Sequence, residues 1–475
     1  MARGKKKETL TPEERLQAAL VPESEQPYKV PGNWCWTQLG TYIDFATDYV
    51  ANGSFASLKQ NAAYYKEENY AILVKTQDFS NSFTEDLTYT DKRGYDFLKK
   101  SVLYGGELIL SNIGSIGKVF RVPHLNKPMT LAPNSIMIKC YRETDYDLLY
   151  YYFLSPFGTE QLYSITTGTA VKKFNKTDLK AICLPLPPLS EQQRIVDRIE
   201  SLFSKLDEAK QKAQEALDSF EARKAAILHK AFTGELTAQW RKEHGVGMES
   251  WENLKFENII EDGPQNGLYK PQTAYGTGTK TLRIDCFYDG AVLPWENLKR
   301  LALTKNEIEQ YHLNVNDIVI NRVNSMAYLG KSALIRELPE ECVFESNMMR
   351  ISLTTQKAIP EYIIKYLNSV IGVQELRKNA KQAVNQASIN QQDVKNVAIK
   401  LPKLEEQAEI VRIVDDLLVR EQQAKEAAEG VLEKIDLIKK AILARAFRGE
   451  LGTNDPSEES AVGLLKTCYC GKLQS

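Results

Sequence analysis

Between Ile195 and Ile227, apolar residues fall at Ile195, Ile199, Leu202, Leu206, Ala209, Ala213, Ala216, Phe220 and Ile227, in steps that alternate four and three. A second stretch repeats the pattern at Ile410, Val414, Leu417, Ala424, Ala428, Val431, Ile435, Ile438 and Ile442. Glu421 interrupts this second seam, and Gly430 is a local helix weakness of about 1 kcal/mol. A 3.5-residue period held this long predicts a coiled-coil helix rather than a surface helix of a globular domain. Ser190 can cap the first helix with Glu191 in its first turn. Pro187, Pro188 and Pro402 stand just ahead of the helices, where proline is tolerated. Gly234 and Gly449 follow the last seam residues and suit C-caps.

The two stretches are copies of one another. PLPPLSEQQRIV…AILHKAFTGEL and KLPKLEEQAEIV…AILARAFRGEL align without a gap at an offset of 215 residues. Glu191 and Gln192 fall on Glu406 and Gln407, and Gly234-Glu235-Leu236 falls on Gly449-Glu450-Leu451. Trp36 and Trp251 share the same offset, so the duplication covers whole units, each a globular part followed by a helix. Inside the globular parts, GELILSNIGSIGKVFRV resembles NDIVINRVNSMAYLGKSALI: an apolar strand, a Gly/Asn/Ser loop, another strand. LAPNSIMIKC pairs with FESNMMRISL, and segments 148–154 and 362–367 read as short buried helices. Residues 51–100 and 262–310 show no convincing match. The expected organisation is an extension (1–25), a globular unit (26–188), a helix (189–235), a second unit (236–403), a second helix (404–451) and a tail (452–475). The fold class is α+β, two similar globular domains separated by two long antiparallel coiled-coil helices with pseudo-twofold duplication.

Composition narrows the chemistry. Net charge is −1 over 475 residues, so contact with a polyanion must come from local basic patches. No window is apolar enough to span a membrane, and MARGKKKETLTPEERL lacks the apolar core of a secretion signal. Seven scattered cysteines point to a reducing, cytoplasmic setting, and only Cys468 and Cys470 lie close together, without partners for a zinc site. GSIGKV at 114–119 fails as a phosphate loop, with Asn112 where the first glycine belongs and Val119 after the lysine. LGKS at 329–332 fails likewise, with Ser325 in the glycine position. The four histidines form no triad pattern. No catalytic residue and no metal ligand emerge.

Each unit carries a polar loop near its end, TTGTAVKKFNKTDLK and NAKQAVNQASINQQDVK, whose amides, hydroxyls and lysines suit base edges and phosphates. With the doubled helix motif on the page, the chain resembles the specificity subunits of type I restriction-modification systems. The globular units resemble that family's paired target-recognition domains, each opened by a tryptophan segment, PGNW in the first and a reduced SW in the second.

The resemblance implies that two domains read two halves of a bipartite, asymmetric double-stranded DNA sequence, with the helices as spacer. It implies two methyltransferase subunits and restriction/translocase subunits as partners, carrying S-adenosylmethionine and ATP with Mg²⁺; the chain itself holds no cofactor and performs no catalysis. The DNA contacts expected in the first domain are Lys118, Lys172, Lys173 and Asn175. In the second they are Arg322, Asn324, Lys331, Gln386 and Asn390. Coiled-coil and partner contacts are expected at Glu191, Gln192, Ile195, Ile199, Leu202, Leu206, Glu406, Gln407, Ile410, Val414 and Leu417, with the two Glu-Gln pairs on exposed docking faces. The competing readings are a restriction enzyme acting alone, which the missing motifs oppose, and a coiled-coil adaptor with no nucleic-acid role.

Overall fold

The computed structural model describes residues 11–141, 145–288, 290–384 and 386–471. The chain divides into two units, Met1–Lys212 with Val431–Ser475, and Ala213–Gly430. Each unit therefore takes a globular part and a share of both long helices. The side chains of Cys468 and Cys470 lie outside the described residues.

In the first unit, β1 (Cys35–Gln38) pairs antiparallel with β10 (Cys183–Leu186), tying the start of the globular part to its end. A frame sheet is ordered β2-β9-β6-β7, from β2 (Ile43–Asp48), β6 (Leu108–Ser111), β7 (Val119–Arg121) and β9 (Ser135–Cys140). A second sheet is ordered β4-β3-β8-β5, from β3 (Ala71–Val74), β4 (Tyr89–Thr90), β5 (Val102–Leu103) and β8 (Met129–Leu131). β3 and β6 are buried along their whole length, which is why they read as unbroken apolar runs. The tyrosine-rich helix Tyr146–Leu154 packs Leu148, Leu149, Tyr152 and Phe153 into the main core.

The second unit repeats this plan. β11 (Glu252–Lys255) pairs with β24 (Ala398–Leu401). The frame sheet is β12-β21-β17-β19, from β12 (Ile260–Asn266), β17 (Ile318–Asn321), β19 (Ser332–Leu334) and β21 (Met348–Leu353). The second sheet is β16-β13-β20, from β13 (Tyr275–Leu282), β16 (Arg300–Leu301) and β20 (Cys342–Phe344). Small additions are the hairpin β14 (Phe287–Tyr288) and β15 (Ala291–Val292), and the sheet β18-β23-β22 from β18 (Val323–Asn324), β22 (Lys381–Gln382) and β23 (Ala387–Ser388). β3 runs parallel to β8 and antiparallel to β4; β13 likewise runs parallel to β20 and antiparallel to β16. The duplication thus extends into stretches 51–100 and 262–310, where the sequence showed no match. Backbone pairing tolerates nearly any side chain on the faces of these short strands, so geometry outlasts sequence similarity.

The strand register also corrects the alignment of the openings. Cys35 lies opposite Leu186 and Glu252 opposite Leu401, so the equivalent tryptophans are Trp34 and Trp251, not Trp36 and Trp251. Trp36 instead donates its indole N–H to the Tyr28 carbonyl at 3.1 Å.

The first long helix runs Leu189–Asp218 and resumes as Phe220–Phe232 after a break at Ser219; the second runs Leu404–Ala446 without interruption. In each unit the two pair antiparallel. In the first unit, Lys439 ion-pairs with Asp207 at 2.6 Å and lies over the Phe203 ring, while Leu443 and Phe447 share a core with Ile195 and Ile199. In the second, Arg223 pairs with Glu421 at 2.7 Å, Lys425 lies over Phe220, and Leu228 and Phe232 share a core with Ile410 and Val414.

On the first helix every expected seam residue is at least half-buried, Leu202 and Leu206 included. On the second, Ile410, Val414 and Leu417 keep their places, but Ala424, Val431 and Ile438 face outward. The seam continues instead through Glu421, Lys425, Leu432 and Lys439. Glu421 does not interrupt it. Long charged side chains cover apolar surface with their stems and pair at their heads, so a pattern traced through apolar residues alone slips by one position.

Two further expectations change. Ser190 is not an N-cap: it sits inside the first turn and donates its hydroxyl to Glu458 at 2.7 Å. The Glu-Gln pairs are buried rather than on exposed faces. Glu191 accepts from the Trp34 indole (2.7 Å), Asn454 Nδ2 (2.8 Å) and the Thr453 hydroxyl (3.1 Å). Glu406 accepts from the Trp251 indole (2.9 Å), the Thr237 hydroxyl (2.7 Å) and Arg241 (2.6 Å). Gln192 bonds Tyr42 and the Pro187 carbonyl, and Gln407 bonds the backbone of Ile359, Lys357 and Pro402. These residues lock each helix start to its own globular part. Gly234 and Gly449 do end the helices, with φ of +83° and +73°; a side chain at either would strike Met248 or Pro31. In the N-terminal helix Pro12–Ala19, Leu16 enters the same core as Ala461 and Leu465 of the helix Ala461–Gly471.

Candidate nucleic-acid interface

In the first unit the loop after β6 and the late polar loop are zipped together. Gly114 N–H donates to the Lys172 carbonyl at 3.2 Å, and Phe174 N–H to that of Asn112 at 3.1 Å. Thr167 and Lys173 exchange a pair of backbone bonds at 2.8 and 2.9 Å. Lys118, Lys172 and Lys173 all stand exposed on this composite surface, with Lys172 5.8 Å from the Tyr163 ring. Three ammonium groups with no carboxylate bonded to them among the described residues suit phosphate contacts.

The second unit builds the same composite with strands. β18 pairs with β23 and β23 with β22, and Ile389 N–H donates to the Arg322 carbonyl at 2.9 Å. Gln386 is exposed on that hairpin and Asn324 is half-buried, its Oδ1 accepting from Ser325 N–H at 2.8 Å. Arg322 is half-buried and donates Nη1 to the Ser346 carbonyl at 3.0 Å, so its fork is turned into its own unit. Lys331 is half-buried, and its ammonium sits 5.0 and 4.5 Å from the rings of Tyr288 and Tyr328.

Asn175 and Asn390 have a local structural role. Both are helix N-caps: Asn175 Oδ1 accepts from Thr177 and Asp178 N–H, and Asn390 Oδ1 from Gln392 and Asp393 N–H. Their side-chain oxygens are spent on the backbone. The signal was present in the sequence, as an Asn followed three residues later by Asp at the mouth of a short helix.

Sequence reasoning missed a cleft in the first unit, with cavities of about 680 and 360 Å³ that share Tyr64, Ile113, Pro133 and Asn134. The zipped loop contributes Asn112 to the larger cavity and Ser115 to the smaller, and the chain after β3 contributes Thr76 and Gln77 to the smaller. An aromatic ring beside amides and hydroxyls can stack on and hydrogen-bond a base edge. Burial, and after it a hydrogen bond with Tyr49, push the Tyr64 phenol above its ordinary range. Nothing but the aromatic density of NAAYYKEENY marked this region in advance.

The model of the type I restriction modification DNA specificity domain matches twice, at 49–217 and 272–429. The chain belongs to that family. It is the non-catalytic, DNA-sequence-recognising subunit of a type I restriction-modification system, working on DNA alongside the other subunits. The specificity subunit of the type I restriction enzyme EcoKI from Escherichia coli K12 is 26% identical over 406 residues, 83% of this chain and 85% of its own length. The StySPI specificity subunit of Salmonella potsdam is 25% identical over 430 residues, 89% of this chain and 90% of its own. In fold, the HsdS subunit from Thermoanaerobacter tengcongensis superposes with a TM-score of 0.61 at 22% identity, over 90% of this chain and all of its own. Among the described residues of this specificity subunit, no His/Cys/Asp/Glu cluster fits a metal ion, and no helix is long and apolar enough to cross a membrane.

Proposed function

We propose that each unit of this specificity subunit reads one half of a split, asymmetric DNA sequence, and that the paired long helices set the gap between the halves. The observation that carries this is the repeated frame with unlike surfaces: sheet order β2-β9-β6-β7 recurs as β12-β21-β17-β19, while the zipped loops present different side chains. Two readers built on one frame suit one duplex bearing two different half-sites. The second long helix, 43 residues or about 64 Å, exceeds one duplex turn of about 34 Å.

Two methyltransferase subunits dock on the long helices in this reading, and restriction/translocase subunits join them, in a bacterial or archaeal cytoplasm. Val431, Leu437 and Ile438, exposed by 40, 65 and 43%, support helix-face docking better than the buried Glu-Gln pairs do. S-adenosylmethionine and ATP with Mg²⁺ belong to those partners.

The test is an insertion of one heptad after Lys212 and another after Gly430, which adds about 10.5 Å of helix while keeping both seams in phase. Sequencing of methylated sites should show the gap growing by about three base pairs, at 3.4 Å each, with both half-sites unchanged. An unaltered gap refutes the spacer, and a changed half-site refutes the division of reading between units.

A further inference from the structure

Lys224, Lys331, Arg336, Lys365 and Arg377 line one cavity of about 280 Å³ in the second unit, with no carboxylate among the described lining residues. They come from separate places in the chain. Lys224 lies on the first long helix, and Lys331 and Arg336 flank β19. Lys365 and Arg377 lie on the helices Pro360–Leu367 and Val370–Arg377.

The partners they do have are mostly neutral. Arg336 donates to the Gly290 carbonyl at 3.2 Å, and Arg377 to the carbonyls of Leu329 (2.8 Å) and Ala327 (3.2 Å). Lys331 is held by the rings of Tyr288 and Tyr328. Carbonyls and ring faces orient a cation without cancelling its charge. Lys365 ion-pairs with Asp415. Lys331, Arg336 and Arg377 have no carboxylate partner among the described residues. Burial lowers the Arg377 guanidinium's hold on its proton. A concave wall of one sign concentrates counter-ions, and guanidinium forks match phosphate oxygens.

We propose that this cavity is a phosphate site, filled by a free polyphosphate or by a backbone phosphate of the bound DNA; the second source rests on the DNA-recognition reading. An occupant would tie the recognition loop, through Lys331, to the long helix, through Lys224. Arg336 and Arg377 also hold backbone carbonyls, so the variants to make are Lys331→Gln and the double variant Lys224→Gln/Lys331→Gln.

The full chain is titrated calorimetrically with pyrophosphate at fixed ionic strength, with chloride as control. The complex with its methyltransferase subunits is titrated with specific DNA across salt concentrations. Saturable pyrophosphate binding that the double variant weakens by at least about tenfold establishes the free source. Absent that, a wild-type salt slope that falls by about one to two in the double variant, with the recognised sequence unchanged, establishes the backbone source. If neither effect appears, the proposal is overturned. Should the double variant not fold, Lys331→Gln alone serves in the pyrophosphate arm, and wild-type protein that shows no saturable binding excludes the free source. If the wild-type complex shows no sequence preference, the recognition reading fails and the pyrophosphate arm alone decides the cavity.

Discussion

Arg241 and Glu406 form an ion pair at 2.6 Å in which the side chains keep only 8 and 2% of their exposure. The equivalent carboxylate of the first unit, Glu191, is equally buried but is bonded by neutral donors, Trp34, Thr453 and Asn454. Removing the charge from Glu406 strands a buried guanidinium, at a cost of about 3–5 kcal/mol. Removing it from Glu191 turns an amide toward N–H donors, at about 1–3 kcal/mol. Glu406→Gln should therefore destabilise the second unit more than Glu191→Gln destabilises the first. Hydrogen exchange resolved by unit checks this; equal losses would contradict it.

Arg223 and Glu421 cross the seam beside the break at Ser219, and Arg223 also bonds the Ser219 hydroxyl. Both partners are partly exposed, so the pair contributes about 0.5–1 kcal/mol, and its greater use is in fixing register. Arg223→Glu should lower the melting temperature, and the swap Arg223→Glu with Glu421→Arg should restore most of the loss. A double-mutant cycle with no coupling energy would remove the pair from the account.

Asn175→Ala and Asn390→Ala delete helix caps rather than DNA contacts. Each should cost about 1 kcal/mol in denaturant unfolding and leave the methylated sequence as it was. Lys172→Ala and Lys173→Ala should do the reverse, sparing stability while reducing the salt slope of DNA binding by about one each. A changed recognition sequence in Asn175→Ala would return that residue to the interface.

Arg194, and after it the Ser190 hydroxyl, hold the Glu458 carboxyl down to about 2 from its ordinary 4.5. A carboxyl depressed on folding contributes stability that is complete above the unfolded value and disappears as pH falls through the folded one. Segment 453–458 should therefore loosen from the first long helix between about pH 4.5 and 2, and Glu458→Gln should abolish that acid transition. Hydrogen exchange of the segment across this range provides the measurement.

Much was legible in the residues themselves. The ungapped repeat, the seam from Ile195 to Ile227, the frame strands and the two buried helices depend on local periodicity, which the order of side chains records directly. Three things were decided only by tertiary structure. Strand register made Trp34, not Trp36, the counterpart of Trp251. Partners hundreds of residues away buried Glu191 and carried the second seam through Lys425 and Lys439. Chain segments far apart in sequence gathered the cleft around Tyr64 and the cations around Lys331. The physical reason is the same in each case. A sequence states which faces are apolar, whereas a buried charge is stable only beside a partner, and its place in the chain does not say which partner folding will bring.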